Sequence, residues 1–96
     1  MQLETQVEVI RRLRSAEGHL KAVIGMVEAG EPCELVLRQL GAVQAALRLA
    51  GAKLLACQVE TSQGVIKDSP CPEERVLELN RLTHLYQILT KYTDSR

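Results

Sequence analysis

L-V-L-R-Q-L-G-A-V-Q-A-A-L-R-L-A-G-A-K-L-L-A-C, residues 35–57, decides the fold. Within it Val36, Leu40, Val43, Leu47, Ala50 and Leu54 follow a strict 4-3-4-3-4 spacing. That spacing is the seam of a helix packed as in a coiled coil. Apolar residues do not stop at the seam: Leu35, Leu37, Ala42, Ala46, Leu49 and Leu55 lie off it. Between Leu40 and Cys57 the only charges are Arg48 and Lys53. A helix apolar around much of its circumference is covered on several sides. Three helices cannot enclose one of their own, so the stretch implies an oligomer.

On the N-terminal side, Leu3, Val7, Ile10, Leu13, Ala16, Leu20, Val23 and Val27 recur at three or four residues and predict an amphipathic helix. Gly30 ends it, and Pro32 suits the first position of the next helix. On the C-terminal side the central helix is expected to fade near Ser62, with Gly64 to Pro70 as a connection. Pro72, Glu73 and Glu74 open a third helix, whose stripe is Leu79, Leu82, Leu85, Leu89 and Tyr92. No stretch shows strand alternation or an internal repeat. The pattern predicts an all-α protomer of three helices, a long helical hairpin plus a short C-terminal helix, assembled into a bundle.

The totals agree. Residues 1–96 are of a length for one domain. Tyr86 and Tyr92 are the only aromatics, so the core is aliphatic. Lys plus Arg and Asp plus Glu both number 12. A global basic footprint for nucleic acid is absent, though a local patch repeated by symmetry would serve. M-Q-L-E-T-Q lacks the positive, then apolar, start of a signal peptide. No uninterrupted apolar run reaches the roughly 18 residues of a membrane span. The expectation is a cytoplasmic protein, away from membranes, with reduced thiols.

Two of the three cysteines open helices, Cys33 in G-E-P-C-E-L-V (30–36) and Cys71 in S-P-C-P-E-E (69–74). The N-terminal end of a helix favours anions, thiolates among them. Such cysteines are candidate nucleophiles, or simply small residues that suit a helix start.

R-L-R-S-A-E-G-H-L-K-A-V-I-G-M-V-E (12–28) followed by C-E-L-V-L-R-Q-L-G-A-V-Q-A-A-L (33–47) resembles the copper-sensitive operon repressor family, CsoR with its relatives RcnR, FrmR and CstR. The resemblance runs from about residue 8 to residue 62, and the third helix matches only in type and length. It implies a disc-shaped tetramer, a dimer of dimers, that represses transcription by binding double-stranded operator DNA without a helix-turn-helix. It also implies a small inducer at a cysteine site that bridges subunits. Relatives sense Cu(I), Ni(II) or Co(II), formaldehyde, or persulfide.

In the copper sensors a cysteine at the start of helix 2 joins a histidine and a cysteine from the partner's helix 2. The resemblance places Cys33, Gln58 and Ser62 at those three positions, so two soft ligands are missing. The persulfide branch keeps the later cysteine that Ser62 replaces. The formaldehyde branch has a proline after Met1, where this chain has Gln2. Cys57, one residue before the usual histidine, is either a replacement ligand or a packed thiol. Cys71 is a resolving thiol, a third ligand, or a residue of the helix cap without function. The inducer set is thus Cys33, Cys57, Gln58, Ser62 and Cys71, with Cys33 and Cys57 as the residues open to a metal such as Cu(I); no cofactor is certain.

His19 belongs to the family's core motif and is read as a packing or hydrogen-bonding residue, and His84 as a surface one. Arg12 falls on the family's basic position. With Arg11, Arg14, Lys21 and Arg48 it forms the candidate DNA-contact set. Two other classes fit the bare pattern: a small helical enzyme of chorismate-mutase type, and a plain helical oligomerisation module.

Overall fold

The computed structural model describes residues 1–93, and the side chains of residues 1–91. Three helices follow in chain order: α1 (Leu3–Glu28), α2 (Cys33–Asp68) and α3 (Pro72–Thr93). The all-helical expectation holds, and no strand occurs among the described residues.

α1 ends where Gly30 predicts. Gly30 has a φ of 70°, a left-handed conformation that costs glycine nothing. Its N–H donates to the Val27 carbonyl at 3.1 Å, and the Glu31 N–H donates to the Met26 carbonyl at 3.0 Å. This pair of bonds satisfies the last carbonyls of a helix. Pro32 stands at the cap of α2, and Cys33 is the first helical residue.

The end of α2 departs from expectation. The helix does not fade near Ser62 but runs 36 residues, through Gly64 to Asp68. One interior glycine costs only about 1 kcal/mol against alanine, and the half-buried Ile66 beyond it offsets that cost. Pro70 supplies the stop, because the residue before a proline is driven out of the helical region. Ser69 accordingly adopts φ −66° and ψ 129°. At 22 residues α3 is nearly as long as the 26-residue α1, longer than the sequence pattern suggested.

α1 and α3 each pack on α2 and not on one another. The chain measures 61 × 31 × 13 Å, and the smallest extent is close to one helix diameter of about 10–12 Å. Its radius of gyration is 17.8 Å, against roughly 13 Å for a compact chain of this length. The protomer is a slab one helix thick, with two open faces.

Burial follows that shape. Val9, Ala16, Val23, Val43, Ala50, Cys57 and Ser62 are the buried side chains among the described residues. α1 meets α2 through Val9, Arg12, Ala16, His19, Val23 and Met26. Of the stripe read from the sequence, Ala16 and Val23 are on this inner face, whereas Leu3, Val7, Ile10, Leu13, Leu20 and Val27 are exposed. On α2, Val43 and Ala50 of the expected seam are buried, whereas Leu47 and Leu54 face outward. On α3 the inner face is Arg75, Glu78, Leu82, Leu85 and Leu89. Leu79 is exposed, and Tyr92 lies outside the described side chains. Each apolar stripe is thus divided, part of it packed within the chain and part of it facing outward.

Gly51 sets the approach of α3 to α2. A Cβ on Gly51 would lie 2.7 Å from Leu89 Cδ1, so its absence admits Leu89 against the backbone of α2. By length and composition α2 is also apolar enough to cross a membrane, although Arg48 and Lys53 interrupt its apolar run.

Candidate functional site

Arg11 and Arg12 share one carboxylate. Arg11 donates from Nε to Glu8 Oε2 at 3.1 Å and from Nη2 to Glu8 Oε1 at 2.8 Å; Arg12 donates from Nε to Glu8 Oε1 at 2.9 Å. The Arg11 hydrogen bonds, with lesser help from Arg12, hold the Glu8 carboxyl at about 2, below its ordinary 4.5. Glu8 in turn raises the Arg11 guanidinium. Arg12 is half-buried and Arg11 exposed. Arg14 is exposed and lines a shallow groove with Ile10, Leu13 and Glu17. Lys21 and Arg48 are exposed, and neither forms an ion pair among the described residues.

The three cysteines occupy three different environments. Cys33 is exposed in the first turn of α2, Cys57 is buried and Cys71 half-buried. Cys57 borders a polar crevice lined by Gln2, Thr5, Lys53 and Glu60. Cys71 stands immediately before α3 and donates its thiol hydrogen to Glu73 Oε2 at 3.1 Å. That bond is the main reason the Glu73 carboxyl lies below the usual range. Cys33 and Cys57 are 24 residues apart on one helix, about 36 Å at ~1.5 Å per residue. No ligand atom can touch both in one chain. Nor do three of His, Cys, Asp or Glu gather into a metal-sized group among the described residues.

Gln58 and Ser62 sit in a polar network between α2 and α3. Gln58 Nε2 donates to Ser62 Oγ at 3.0 Å, and the Ser62 hydroxyl donates to Glu78 Oε1. Arg81 Nη1 lies 4.0 Å from the same carboxylate oxygen. Ser62 is fully buried, and its oxygen both donates and accepts.

His19 shares a hydrogen bond of 2.7 Å with Gln39 Oε1 through Nε2, tying α1 to α2. His84 is exposed on α3. Glu8 and Glu78 were missed by the sequence reading. Extending the spacing of Leu89, Leu85 and Leu82 back by four residues reaches Glu78, a charge on an inner face and thus a detectable signal. Glu8 could have been found as the acid three and four residues before two arginines.

The protomer is one helix layer thick, with Arg11, Arg12 and Arg14 gathered along α1 and a thiol opening α2. Residues 5–89 match the metal-sensitive transcriptional repressor family, and the chain belongs to it. The family is one of repressors, which sets aside the small helical enzyme and the plain oligomerisation module. The copper-sensing transcriptional repressor CsoR of Mycobacterium ulcerans (strain Agy99) is 40% identical over 52 residues, covering 54% of this chain and 44% of that protein. The chain thus spans less than half the length of that curated relative. A variant of the formaldehyde-responsive regulator FrmR from Salmonella enterica serovar Typhimurium has the same fold, with a TM-score of 0.73 at 22% identity over 92% of this chain and 97% of that one.

Proposed function

We propose that this protein is a DNA-binding repressor, acting in the cytoplasm, that releases its operator when a small inducer engages a cysteine-centred site shared between subunits. The observation that carries the reading is the slab itself. Its thinness leaves the apolar stripe of α1 and the outward leucines of α2 uncovered, and exposed apolar surface of this extent marks an interface. A second copy laid on that face gives α2 the cover its composition calls for, without a membrane. A dimer of dimers repeats Arg11, Arg12, Arg14, Lys21 and Arg48 and so builds a basic surface from a chain of zero net charge. An antiparallel partner also carries its own Cys33 toward the C-terminal half of α2, in which Cys57 lies.

The inducer class follows from the polar network. Gln58 and Ser62 are engaged with Glu78, and their hard atoms suit a soft cation poorly. Cys33 remains as the exposed thiol, with the buried Cys57 beside a crevice as its candidate partner, which fits a thiol-reactive species such as formaldehyde or persulfide better than a three-ligand Cu(I) centre. Cys71, whose thiol is turned to Glu73, is the auxiliary thiol.

Titration of a duplex from the region upstream of its own gene tests the DNA reading. Affinity should fall log-linearly with salt, and Arg12→Ala should weaken binding and flatten the slope. Operator affinity unchanged in an Arg11→Ala, Arg12→Ala, Arg14→Ala triple variant would rule the patch out.

A further inference from the structure

Resting on that DNA-contact reading, we infer that Glu8 is a built-in competitor for DNA phosphate, occupying the guanidinium edges of Arg11 and Arg12 until the duplex displaces it. The geometry is specific. Arg11 presents its Nε and Nη2 together to the two oxygens of Glu8. That paired edge is one a phosphate grips through two parallel bonds. Arg12 gives its Nε to the same carboxylate. A phosphate therefore cannot take the edge of Arg11 while Glu8 holds it.

The charge arithmetic points the same way. Two guanidinium groups and one carboxylate carry a net +1 where the bare arginines would carry +2. A carboxylate is ionised near neutral pH, and the hydrogen bonds from Arg11 favour that form further. Phosphate contacts supply affinity without sequence information. A competitor placed on them lowers binding to any duplex and leaves operator choice to the remaining contacts. It also keeps the grip on DNA within the range that a modest inducer coupling can overcome.

Glu8→Gln removes the charge and keeps the shape. The variant, confirmed helical by circular dichroism, should bind both the upstream duplex and a random-sequence duplex about 5-fold tighter at low salt, the scale of one exposed ion pair. The gain should shrink as salt rises. Unchanged or weaker binding overturns the inference, and weaker binding would make Glu8 an aligner of the arginines. In an Arg11→Ala, Arg12→Ala background, Glu8→Gln should have no effect. A persistent gain there would mean that Glu8 acts as a general negative charge and not as a competitor. If the double alanine variant itself binds as tightly as wild type, the DNA-contact reading fails, and the inference with it. Glu8→Ala repeats the test without the glutamine's own hydrogen bonds and should match Glu8→Gln in direction.

Discussion

The Ser62 hydroxyl donates to the Glu78 carboxylate, closing α3 onto α2 at a point where both side chains are withdrawn from solvent. Ser62→Ala leaves that carboxylate without a donor from α2. A hydrogen bond to a charged, poorly solvated group contributes about 1.5–3 kcal/mol. Ser62→Ala should cost that much in urea unfolding at fixed protein concentration. Replacing both partners, as Ser62→Ala with Glu78→Leu, should recover much of the loss, because no polar group is then left unpaired. A Ser62→Ala loss under about 0.5 kcal/mol would mean that the contact is ornamental.

Gly51 should tolerate no large side chain. Leu89 Cδ1 lies only 2.7 Å from where a Cβ on Gly51 would be. Gly51→Leu should push α3 off α2 and cost about 1–3 kcal/mol, with hydrogen exchange faster in α3 than in α1. Equal protection in both helices would show that α3 docks without this approach. Gly51→Ala is milder, since the Leu89 methyl group can shift and alanine gains about 1 kcal/mol of helix propensity.

Leu47 is 45% exposed in the single chain. For an isolated protomer Leu47→Asp would be a surface change worth within about 0.5 kcal/mol. If a second copy covers the face, the same change buries an unpaired charge and is costly. Sedimentation at micromolar concentration should show an oligomer for wild type and its dissociation or loss of fold for Leu47→Asp. A wild type that sediments as a folded monomer would remove the basis of the assembly, and with it the shared cysteine site.

Glu8 also gives the protein a pH signature. Its carboxyl lies near 2 when folded, against an ordinary 4.5, so its contribution to stability is present above 4.5 and fades as pH falls toward 2. The group is exposed, so the contribution is small. Melting temperatures of wild type and Glu8→Gln should differ most above pH 5 and converge near pH 2. A gap that persists at pH 2 would locate the effect elsewhere.

The sequence made the helices legible because Gly30, Pro32, Pro70 and Pro72 punctuate them and the apolar spacing fills them. It misjudged the end of α2 because Gly64 was weighed above Pro70. On α1 it caught Ala16 and Val23 of the inner face but not Val9, and it joined them to the exposed Leu3, Val7, Ile10, Leu13, Leu20 and Val27, because periodicity records apolar character without saying what covers it. The start of α2 was readable from Pro32 to within one residue, Pro32 being its cap and Cys33 its first residue. The Glu78 partnership of Ser62 was not, since a contact between helices 16 residues apart needs the fold. The clamp of Glu8 on two arginines is local and was open to the i, i+3 and i, i+4 rules.

The inducer is the sharpest prediction. Cys33 is the exposed thiol at the helix start, and the thiolate is the nucleophilic form. Operator release should be tested with persulfide, formaldehyde, Cu(I), Ni(II) and Zn(II), each on wild type and Cys33→Ala. The active agent should release DNA from wild type and leave Cys33→Ala bound; equal release from both would remove Cys33 as the sensor. Cu(I) should bind wild type weakly, because Gln58 and Ser62 offer it no soft atom and are tied to each other and to Glu78. Gln58→His with Ser62→Cys installs the imidazole and thiolate that the copper-sensor resemblance calls for. That variant should gain Cu(I) affinity by at least about 100-fold, the scale of one or two added ligands at ~1.4 kcal/mol per decade. Cys33→Ala should abolish the gain. Wild-type affinity already at the level of the double variant would show that Cys57 has taken over as a ligand and that the polar network opens to admit the ion.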